Sequence, residues 1–369
     1  MLGAHKRGYL MKAAVLKAFG SPLSVETLPD PVLGTGEVIV DIVATSVLNY
    51  SNEVFSGERK YLLDLPVAPG PGGIGRVRAF GPDATHLNVG DWVYCDPTVR
   101  SRDDVRLPDM ILQGWTALGA AGLRLQKHFR HGSWAEQMLL PTENAIRIGD
   151  IDEAEAPSWC KIGSFLVPYG GLLAARVQAG ETVLVNGATG NFGSAGVAVA
   201  LAMGAVSVIA TGRNEAALAD LARRFGPRVR TVRMSGDEES DRKTMRQTAA
   251  RPIDCVLDIL PPAASPASAR AAIMAVRPYG RVALMGGVGL QGGGVLELPY
   301  AWIMRNGVTI IGQWMYPPEA VSRMVDLIRS GLVRLDQYDI ALFDLDQVNE
   351  AVAHAAAHAG PFQMTVLRP

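Results

Sequence analysis

Two glycines that follow a short apolar segment carry the strongest chemical signal in this sequence. The apolar segment covers residues 182–185, Gly190 and Gly193 lie in the turn after it, and small residues fill 194–203. Glycine at 190 lets a bound phosphate approach the backbone, and glycine at 193 lets a helix start close against the strand. The amino end of that helix presents N–H groups and a positive dipole to an anion. The pattern therefore predicts a site for the pyrophosphate of a dinucleotide.

The elements around the turn arrive in the order that such a site needs. Residues 182–185 predict a buried strand, 194–203 a helix, and 206–210 a second buried strand. Together they predict a βαβ unit of a doubly wound parallel sheet in an α/β protein. Ala188 replaces the first glycine of the usual motif, and a glycine-rich connection in another α/β sheet is the alternative. The turn residues predicted to bind the dinucleotide are Ala188, Thr189, Gly190, Asn191, Phe192 and Gly193.

The end of the second strand indicates which dinucleotide binds. Proteins that bind NAD usually place a carboxylate there, whereas this chain has Gly212 and Arg213. A guanidinium group suits a 2′-phosphate, so NADP(H) is predicted over NAD. Thr211 and Asn214 could add neutral hydrogen bonds. The alternatives are that Arg213 is simply solvated and that Asn214 caps the helix starting at Glu215.

Composition sets limits on the class of protein. A chain of 369 residues, 48% hydrophobic and 19% charged, predicts a globular protein of two domains. A net charge of −1 argues against a nucleic-acid or anionic-membrane partner. No apolar run reaches the roughly 18 residues of a membrane span. Residues 1–10 lack the apolar core of a signal peptide and are predicted to be a disordered extension.

The cysteines are few and widely separated. Cys95, Cys160 and Cys255 form no Cys-X-X-Cys pair, which argues against a thiolate zinc cluster and a disulfide framework. A reducing, cytoplasmic location is therefore expected.

The first part of the chain has the pattern of a β-rich domain. Strands are predicted at 11–16, 24–28 and 36–44, and further turn-and-strand patterns follow later in this part of the chain. Residues 97–132 are predicted to be irregular, with a solvated basic loop around His128 and His131.

Several segments of the chain resemble the medium-chain dehydrogenase/reductases, within them the zinc-free quinone oxidoreductase and enoyl reductase branch. The segments that carry the resemblance are 36–38, 69–75, 89–93, 132–136 and the glycine turn at 186–193. The resemblance covers nearly everything after Met11. It implies a GroES-like β-rich catalytic domain, a Rossmann dinucleotide-binding domain, and an active site in the cleft between them. By analogy it also implies a homodimer joined near the last strand of the Rossmann sheet.

The resemblance predicts the domain boundaries. The catalytic domain is expected at residues 11–157, completed by 316–369, and the dinucleotide-binding domain at 158–315. Within the latter, the resemblance places Gly286 and Gly287 against the nicotinamide half of the cofactor.

The chain departs from the zinc-dependent members at the ligand positions. Where those relatives carry Cys and His after the third strand, this chain has Leu48 and Asn49. Where they carry His and Glu, it has Pro71 and Gly72. Cys160 falls near the position of a third ligand, but one thiolate cannot hold a catalytic zinc, which needs about three protein ligands. A metal-free enzyme with Cys160 in its core is therefore predicted.

Loss of the metal constrains the expected chemistry. Hydride transfer to a quinone or an α,β-unsaturated substrate yields an anion that hydrogen-bond donors can stabilise. Asn49 resembles a cleft asparagine of the zinc-free relatives, and Tyr50 and Tyr61 could donate a proton or orient a small-molecule substrate. Aromatic packing is the alternative role for either tyrosine.

The predicted function is a zinc-independent, NADPH-dependent reductase of quinones or activated double bonds. One alternative is a metal-free alcohol or carbonyl dehydrogenase of the same superfamily. The other is an NADP-binding protein with little turnover, acting as a sensor or structural component.

Overall fold

The computed structural model describes residues 10–292 and 294–369. The predicted extension at residues 1–10 lies outside this range except for Leu10, which begins the first strand. Within the described ranges no helix combines the length and apolarity that crossing a membrane requires.

The strands and helices are numbered in chain order. The strands are β1 Leu10–Val15, β2 Ser24–Pro29, β3 Glu37–Val47, β4 Gly73–Phe80, β5 Trp92–Cys95, β6 Thr98–Arg100, β7 Met110–Leu112, β8 Thr116–Ala117, β9 Gln137–Pro141, β10 Ala145–Arg147, β11 Thr182–Asn186, β12 Ser207–Gly212, β13 Val229–Arg233, β14 Cys255–Asp258, β15 Arg281–Leu284, β16 Thr309–Gly312, β17 Asp339–Asp344 and β18 Gln363–Arg368. The α-helices are α1 Ser51–Phe55, α2 Gly119–His128, α3 Ala156–Trp159, α4 Ile162–Ala174, α5 Asn191–Ala202, α6 Glu215–Phe225, α7 Glu238–Thr248, α8 Pro266–Ile273, α9 Tyr300–Asn306, α10 Ala320–Arg329 and α11 Val348–Ala357.

The chain folds into two compact units. The first contains the described residues up to Lys161 together with Asp339–His358 and Met364–Pro369, and the second contains Ile162–Tyr338 and Ala359–Gln363. The first boundary lies close to the predicted one at 157/158. The return to the first unit comes at residue 339 instead of the predicted 316, because α10 packs against α4 of the second unit.

The first unit is built on an antiparallel sheet in which β3 is a central strand. Strand β3 pairs with β4, β9 and β18. Its apolar residues form a buried core with those of its neighbours, for example Val38, Val40 and Val93, because apolar side chains alternate along each strand.

The region predicted to be irregular, 97–132, is instead ordered. Strands β6, β7 and β8 form a small antiparallel sheet, and α2 packs on β7. The pattern-based prediction was wrong because these strands are only two or three residues long. Gly119 and Gly122 also weaken the helical signal of α2.

The second unit has a parallel sheet with the strand order β13-β12-β11-β14-β15-β16. This is the order of a doubly wound Rossmann sheet, with its reversal between β11 and β14. Val183, Leu184 and Val185 are fully buried in β11 because both faces of the sheet are covered. The predicted α/β fold class, a Rossmann sheet plus a β-rich domain, is confirmed.

Candidate functional site

The turn after β11 has the shape that an anion site requires. Gly187 has a φ of 90°, which brings the chain back so that the Ala188 N–H donates to the Thr211 carbonyl at 2.9 Å. A Cβ at Gly193 would overlap the Gly187 carbonyl oxygen, so only glycine lets α5 start this close to the strand. A Cβ at Gly190 would meet only the Gly187 carbonyl oxygen, 3.6 Å away. The two glycines therefore have different roles: Gly193 allows α5 to pack closely, and Gly190 leaves space beside the backbone.

Helix α5 begins at Asn191 without a side-chain cap. The first N–H groups of a helix have no acceptor within it, so an anion bound at this end would be stabilised. The Asn191 amide instead donates to the Ser164 hydroxyl at 3.1 Å, which fixes the start of the helix. Ala188 is buried, and Thr189 and Phe192 are half-buried around the same turn. These residues fit the pyrophosphate of a dinucleotide.

At the end of β12 and just after it, Gly212 and Asn214 have structural roles and Arg213 could bind a ligand. Asn214 caps α6 by accepting the Ala217 N–H at 3.1 Å. A Cβ at Gly212 would stand 2.3 Å from Thr189 Cγ2, so a residue with a carboxylate could fit there only if Thr189 moved. Arg213 is exposed and has no hydrogen bond or ion pair within the described part of the chain. Its guanidinium group is therefore available to a phosphate.

Thr211 points inward and belongs to a buried hydrogen-bond network. Its hydroxyl donates to the Asn186 amide oxygen at 2.7 Å, and the Asn186 amide nitrogen donates to Asp258 at 2.7 Å and to the Ser268 carbonyl at 3.2 Å. The network links the carboxyl ends of β11, β12 and β14. A neutral hydrogen bond from the Thr211 side chain to the cofactor, as predicted, would have to compete with Asn186.

Asn186 and Asp258 were not predicted as site residues. Each is a polar residue that ends a strand directly after an apolar run, and that is the signal that could have revealed them. Burial raises the pKa of Asp258 above its ordinary 3.8, to about 6, and the hydrogen bond from Asn186 limits the rise.

Replacement of Asp258 by asparagine is expected to change how stability depends on pH. The pKa of Asp258 is higher in the folded state, so its stabilising contribution is complete below pH 3.8 and is lost as the pH rises through about 6. The loss corresponds to about 3 kcal/mol. Asp258→Asn can keep the hydrogen bond from Asn186 and cannot ionise.

Urea denaturation of the full chain at pH 4, 5, 6 and 7 measures this effect. The stability of Asp258→Asn relative to wild type is expected to rise across the series. Asp326→Asn, an exposed change on α10 in the same unit, is the matched control and is expected to show a flat difference. A flat difference for Asp258→Asn as well would contradict the assignment.

Gly286 and Gly287 lie next to the segment that follows β14. A Cβ at Gly286 would stand 2.7 Å from the Leu260 carbonyl oxygen, and one at Gly287 would stand 2.8 Å from Pro262 Cγ. The Gly287 N–H donates to the Leu260 carbonyl at 2.8 Å. The glycines therefore permit two loops at the carboxyl edge of the sheet to pack closely, and contact with a nicotinamide ring stays a prediction.

The predicted catalytic residues Asn49, Tyr50 and Tyr61 all belong to the first unit. Asn49 is half-buried just before α1, and its side chain has no hydrogen bond within the described residues. Tyr50 and Tyr61 are half-buried, and the Tyr50 ring packs edge-on against the ring of Trp115, with centroids 5.9 Å apart. Burial raises the pKa of Tyr50 well above its usual range, and Tyr61 adds to the rise. Tyr50 is therefore a protonated phenol at neutral pH.

The residues at the zinc-ligand positions do not fit a metal. In the described ranges no three His, Cys, Asp or Glu side chains converge as a metal site would require. Cys160 is buried, its thiol donates to the Ala156 carbonyl at 3.5 Å, and burial raises the pKa of that thiol. Its geometry is that of a core cysteine.

His131 is not the solvated residue that the sequence predicts. It is half-buried, and its Nδ1 accepts the Ala68 N–H at 3.1 Å, which assigns the neutral tautomer with the proton on Nε2. Burial, helped by the charge of Arg130, lowers the pKa of His131 to about 4. Its role is to hold the segment at Ala68 in place.

Comparison with known proteins agrees with both units. The family model for the alcohol dehydrogenase GroES-like domain matches residues 34–150, and the model for zinc-binding dehydrogenases matches 192–330. An alcohol dehydrogenase from Moraxella sp. (strain TAE123) is 30% identical over 59% of this chain and 62% of its own length. The chain thus spans less than two thirds of that curated relative.

Two solved structures have a similar fold. A short chain alcohol dehydrogenase from E. coli CFT073, complexed with NADH, has a TM-score of 0.78 at 19% identity and covers 98% of this chain and 100% of its own. A zinc-binding dehydrogenase from Sinorhizobium meliloti 1021, bound to NADP, has a TM-score of 0.76 at 19% identity with the same coverage. At this identity the similarity shows the fold. With the two family models, the chain belongs to the medium-chain dehydrogenase/reductase superfamily.

Proposed function

We propose that this protein is an oxidoreductase that uses NADPH to reduce a quinone or an activated double bond without zinc. The observation that carries the proposal is the replacement of the metal-ligand positions by residues that cannot bind zinc. Leu48, Pro71 and Gly72 lack ligand atoms in their side chains, and Cys160 is buried and bonded to backbone. Neutral donors, Asn49, Tyr50 and Tyr61, are present in the same unit.

The two units supply different parts of the reaction. In the second unit, the Gly190–Gly193 turn would hold the pyrophosphate and Arg213 the 2′-phosphate. When bound, NADPH supplies the hydride. In the first unit, Asn49 and Tyr61 would donate hydrogen bonds to the substrate oxygen that becomes negative, and so stabilise the enolate or hydroquinone anion.

The relatives support a nicotinamide cofactor and keep one alternative open. One solved neighbour holds NADH and another NADP. The Moraxella relative is an alcohol dehydrogenase, which favours alcohol or carbonyl chemistry as the second candidate function. The third candidate, cofactor binding with little turnover, has no specific support from these proteins.

A spectrophotometric panel distinguishes these functions. Purified protein is mixed with NADPH and a quinone, an enone, an enoyl thioester or an aldehyde, and with NADP⁺ and alcohols, with and without a chelator. We expect NADPH oxidation with the quinone or the unsaturated substrates, unaffected by the chelator. Turnover confined to alcohols and aldehydes would favour the second function, and binding without turnover the third.

Metal analysis of the same protein tests the zinc-free part of the proposal separately. One zinc per chain, with activity lost on chelation and regained on zinc addition, would contradict it.

We also propose that the protein is a homodimer formed through the edge strand β16. This strand ends the parallel sheet, and an unpaired edge offers N–H and C=O groups to a second copy. Exposed apolar side chains flank it, with Tyr300 81% and Met304 60% exposed on α9. Other large apolar side chains of the described chain are exposed as well, so it is the position of these two beside an unpaired strand edge that supports a partner there.

Light scattering is expected to give twice the chain mass of 39.3 kDa. Thr309→Lys places the same charge on both copies at the shared edge and is expected to produce monomers. Thr231→Lys, on the opposite edge strand β13, is the matched control and is expected to stay dimeric. A monomeric wild type would contradict the proposal.

A further inference from the structure

Two histidines lie one turn apart at the end of α11. His354 belongs to the last turn of the helix, and His358 follows it at the C-cap. Their rings are stacked, with centroids 4.0 Å apart and planes inclined by 16°. Side chains one helical turn apart share a face of the helix, so the two rings lie on one side of α11. His354 is half-buried and His358 is exposed, so solvent and small ions can reach the pair.

The Nδ1 atom of each ring is already engaged by a protein oxygen. The His358 Nδ1 lies 3.0 Å from the His354 carbonyl, and because a carbonyl only accepts, this nitrogen carries the hydrogen. The His354 Nδ1 lies 3.0 Å from the hydroxyl of Thr365 on β18, which can accept a hydrogen in the same way. With both Nδ1 atoms as donors, the neutral rings have their lone pairs on Nε2.

The Nε2 atoms are the ring nitrogens left for a ligand. Neither makes a hydrogen bond or an ion pair within the described part of the chain. Histidines that bind metals usually donate their other ring N–H to an oxygen of the protein or of water, which fixes the ring and makes the ligating nitrogen more basic. His354 and His358 have this arrangement, and the Phe343 ring also packs against His354, with centroids 5.2 Å apart.

We propose that His354 and His358 form a surface site for a divalent transition-metal ion. Imidazole nitrogen is a ligand of Zn²⁺, Ni²⁺ and Cu²⁺, and two histidines at this spacing on a helix can hold one ion together. A metal–imidazole bond is about 2.0–2.1 Å long, so both Nε2 atoms must converge on the ion. Rings 4.0 Å apart can do so by opening from their parallel stack. Water would complete the coordination, because the described residues bring no third His, Cys, Asp or Glu to the pair.

Capping of the helix is the alternative role for His358. Its contact with the His354 carbonyl satisfies one of the last backbone acceptors of α11. Capping needs no contribution from the His354 ring, whereas chelation needs both rings. The two roles are therefore separated by whether metal affinity depends on His354 as well as on His358.

Isothermal titration of the untagged full chain with Cu²⁺, Ni²⁺ and Zn²⁺ tests the site. Wild type is expected to bind each ion at the pair, Cu²⁺ most tightly. His354→Gln and His358→Gln each leave one imidazole, so either is expected to raise the dissociation constant at least about tenfold. His86→Gln, which removes an exposed histidine elsewhere in the same unit, is the matched control and is expected to change the constant less than about twofold.

Electron paramagnetic resonance of the Cu²⁺-loaded protein identifies the ligands directly. Coupling to two imidazole nitrogens is expected in wild type and to one in His358→Gln, a change at an exposed position that keeps the fold. The pair includes none of the residues that the proposed function uses, and neither measurement depends on turnover, so each proposal can fail without the other.

Three results would overturn the inference. The first is a wild-type affinity no higher than that of His354→Gln, and the second is a His358→Gln protein that binds as tightly as wild type. The third is a loss of affinity in His86→Gln as large as that in either variant of the pair, because the ion would then not be specific to α11.

Discussion

Arg213→Glu is expected to raise the dissociation constant of NADPH about 10- to 100-fold while changing that of NADH less than threefold. Arg213 is exposed and has no competing partner within the described residues, so the proposed 2′-phosphate would be its main interaction. The substitution replaces attraction by repulsion, and a shift of 1.4 kcal/mol is already tenfold in affinity. Fluorescence titration of both reduced cofactors measures the two constants.

Arg230→Glu is the control for the overall change in charge. Arg230 is exposed on β13 and pairs in register with Ile209, near the amino ends of the strands, whereas Arg213 follows their carboxyl ends. The control is expected to leave both constants within a factor of two. Equal affinity of the Arg213→Glu protein and wild type for NADPH would contradict the assignment of NADP(H).

Gly193→Ala is expected to lower the stability of the protein, and Gly190→Ala is expected to lower its affinity for NADPH. At Gly193 an added Cβ overlaps the Gly187 carbonyl, so we expect a loss of about 2 kcal/mol in stability, or roughly 4–8 °C in Tm. At Gly190 the nearest atom is 3.6 Å away, so we expect stability close to wild type. Its methyl group would instead keep the pyrophosphate from the backbone and raise the dissociation constant of NADPH at least tenfold.

Thermal unfolding and cofactor titration of the two variants separate the roles. Gly180→Ala shows the separate effect of backbone strain, since Gly180 has a φ of 88°, unlike Gly190 and Gly193, and an added Cβ there meets no atom within 4 Å. Normal cofactor binding by Gly190→Ala would exclude close approach of a phosphate at that residue. Unchanged stability of Gly193→Ala would show that α5 can move away from the turn.

The dinucleotide-binding fold could be predicted because its signals are local. Strands β11 and β12 are short apolar runs, and the glycines mark the turn between β11 and α5. Predicted bounds differ from the observed ones by a few residues, for example at α5, which begins at Asn191 and not at Ser194. Helix α8 was missed although Ser265 caps it and Pro266 starts it, which is a recognisable local signal.

The candidate site of the first unit could be predicted only in part. Asn49, Tyr50 and Tyr61 stood out by residue type, but Trp115, which packs against Tyr50, is more than 50 residues further along the chain. The isolated bridge between Leu62 and Ala117 and the small β6–β8 sheet join these two stretches of the chain, and both involve too few residues to leave a periodic pattern. Pairing between segments that lie far apart in the sequence cannot be predicted from local residue patterns.

The amide of Asn186 ties three strand ends together from inside the sheet. Residues 212–214 lie beyond that tie, with Gly212 and Arg213 taking no part in it. The residue that would bind the 2′-phosphate in the proposed function is therefore separate from the hydrogen bonds that join the strand ends. Substitutions at Arg213 are expected to change the preference between the two coenzymes without disturbing those hydrogen bonds.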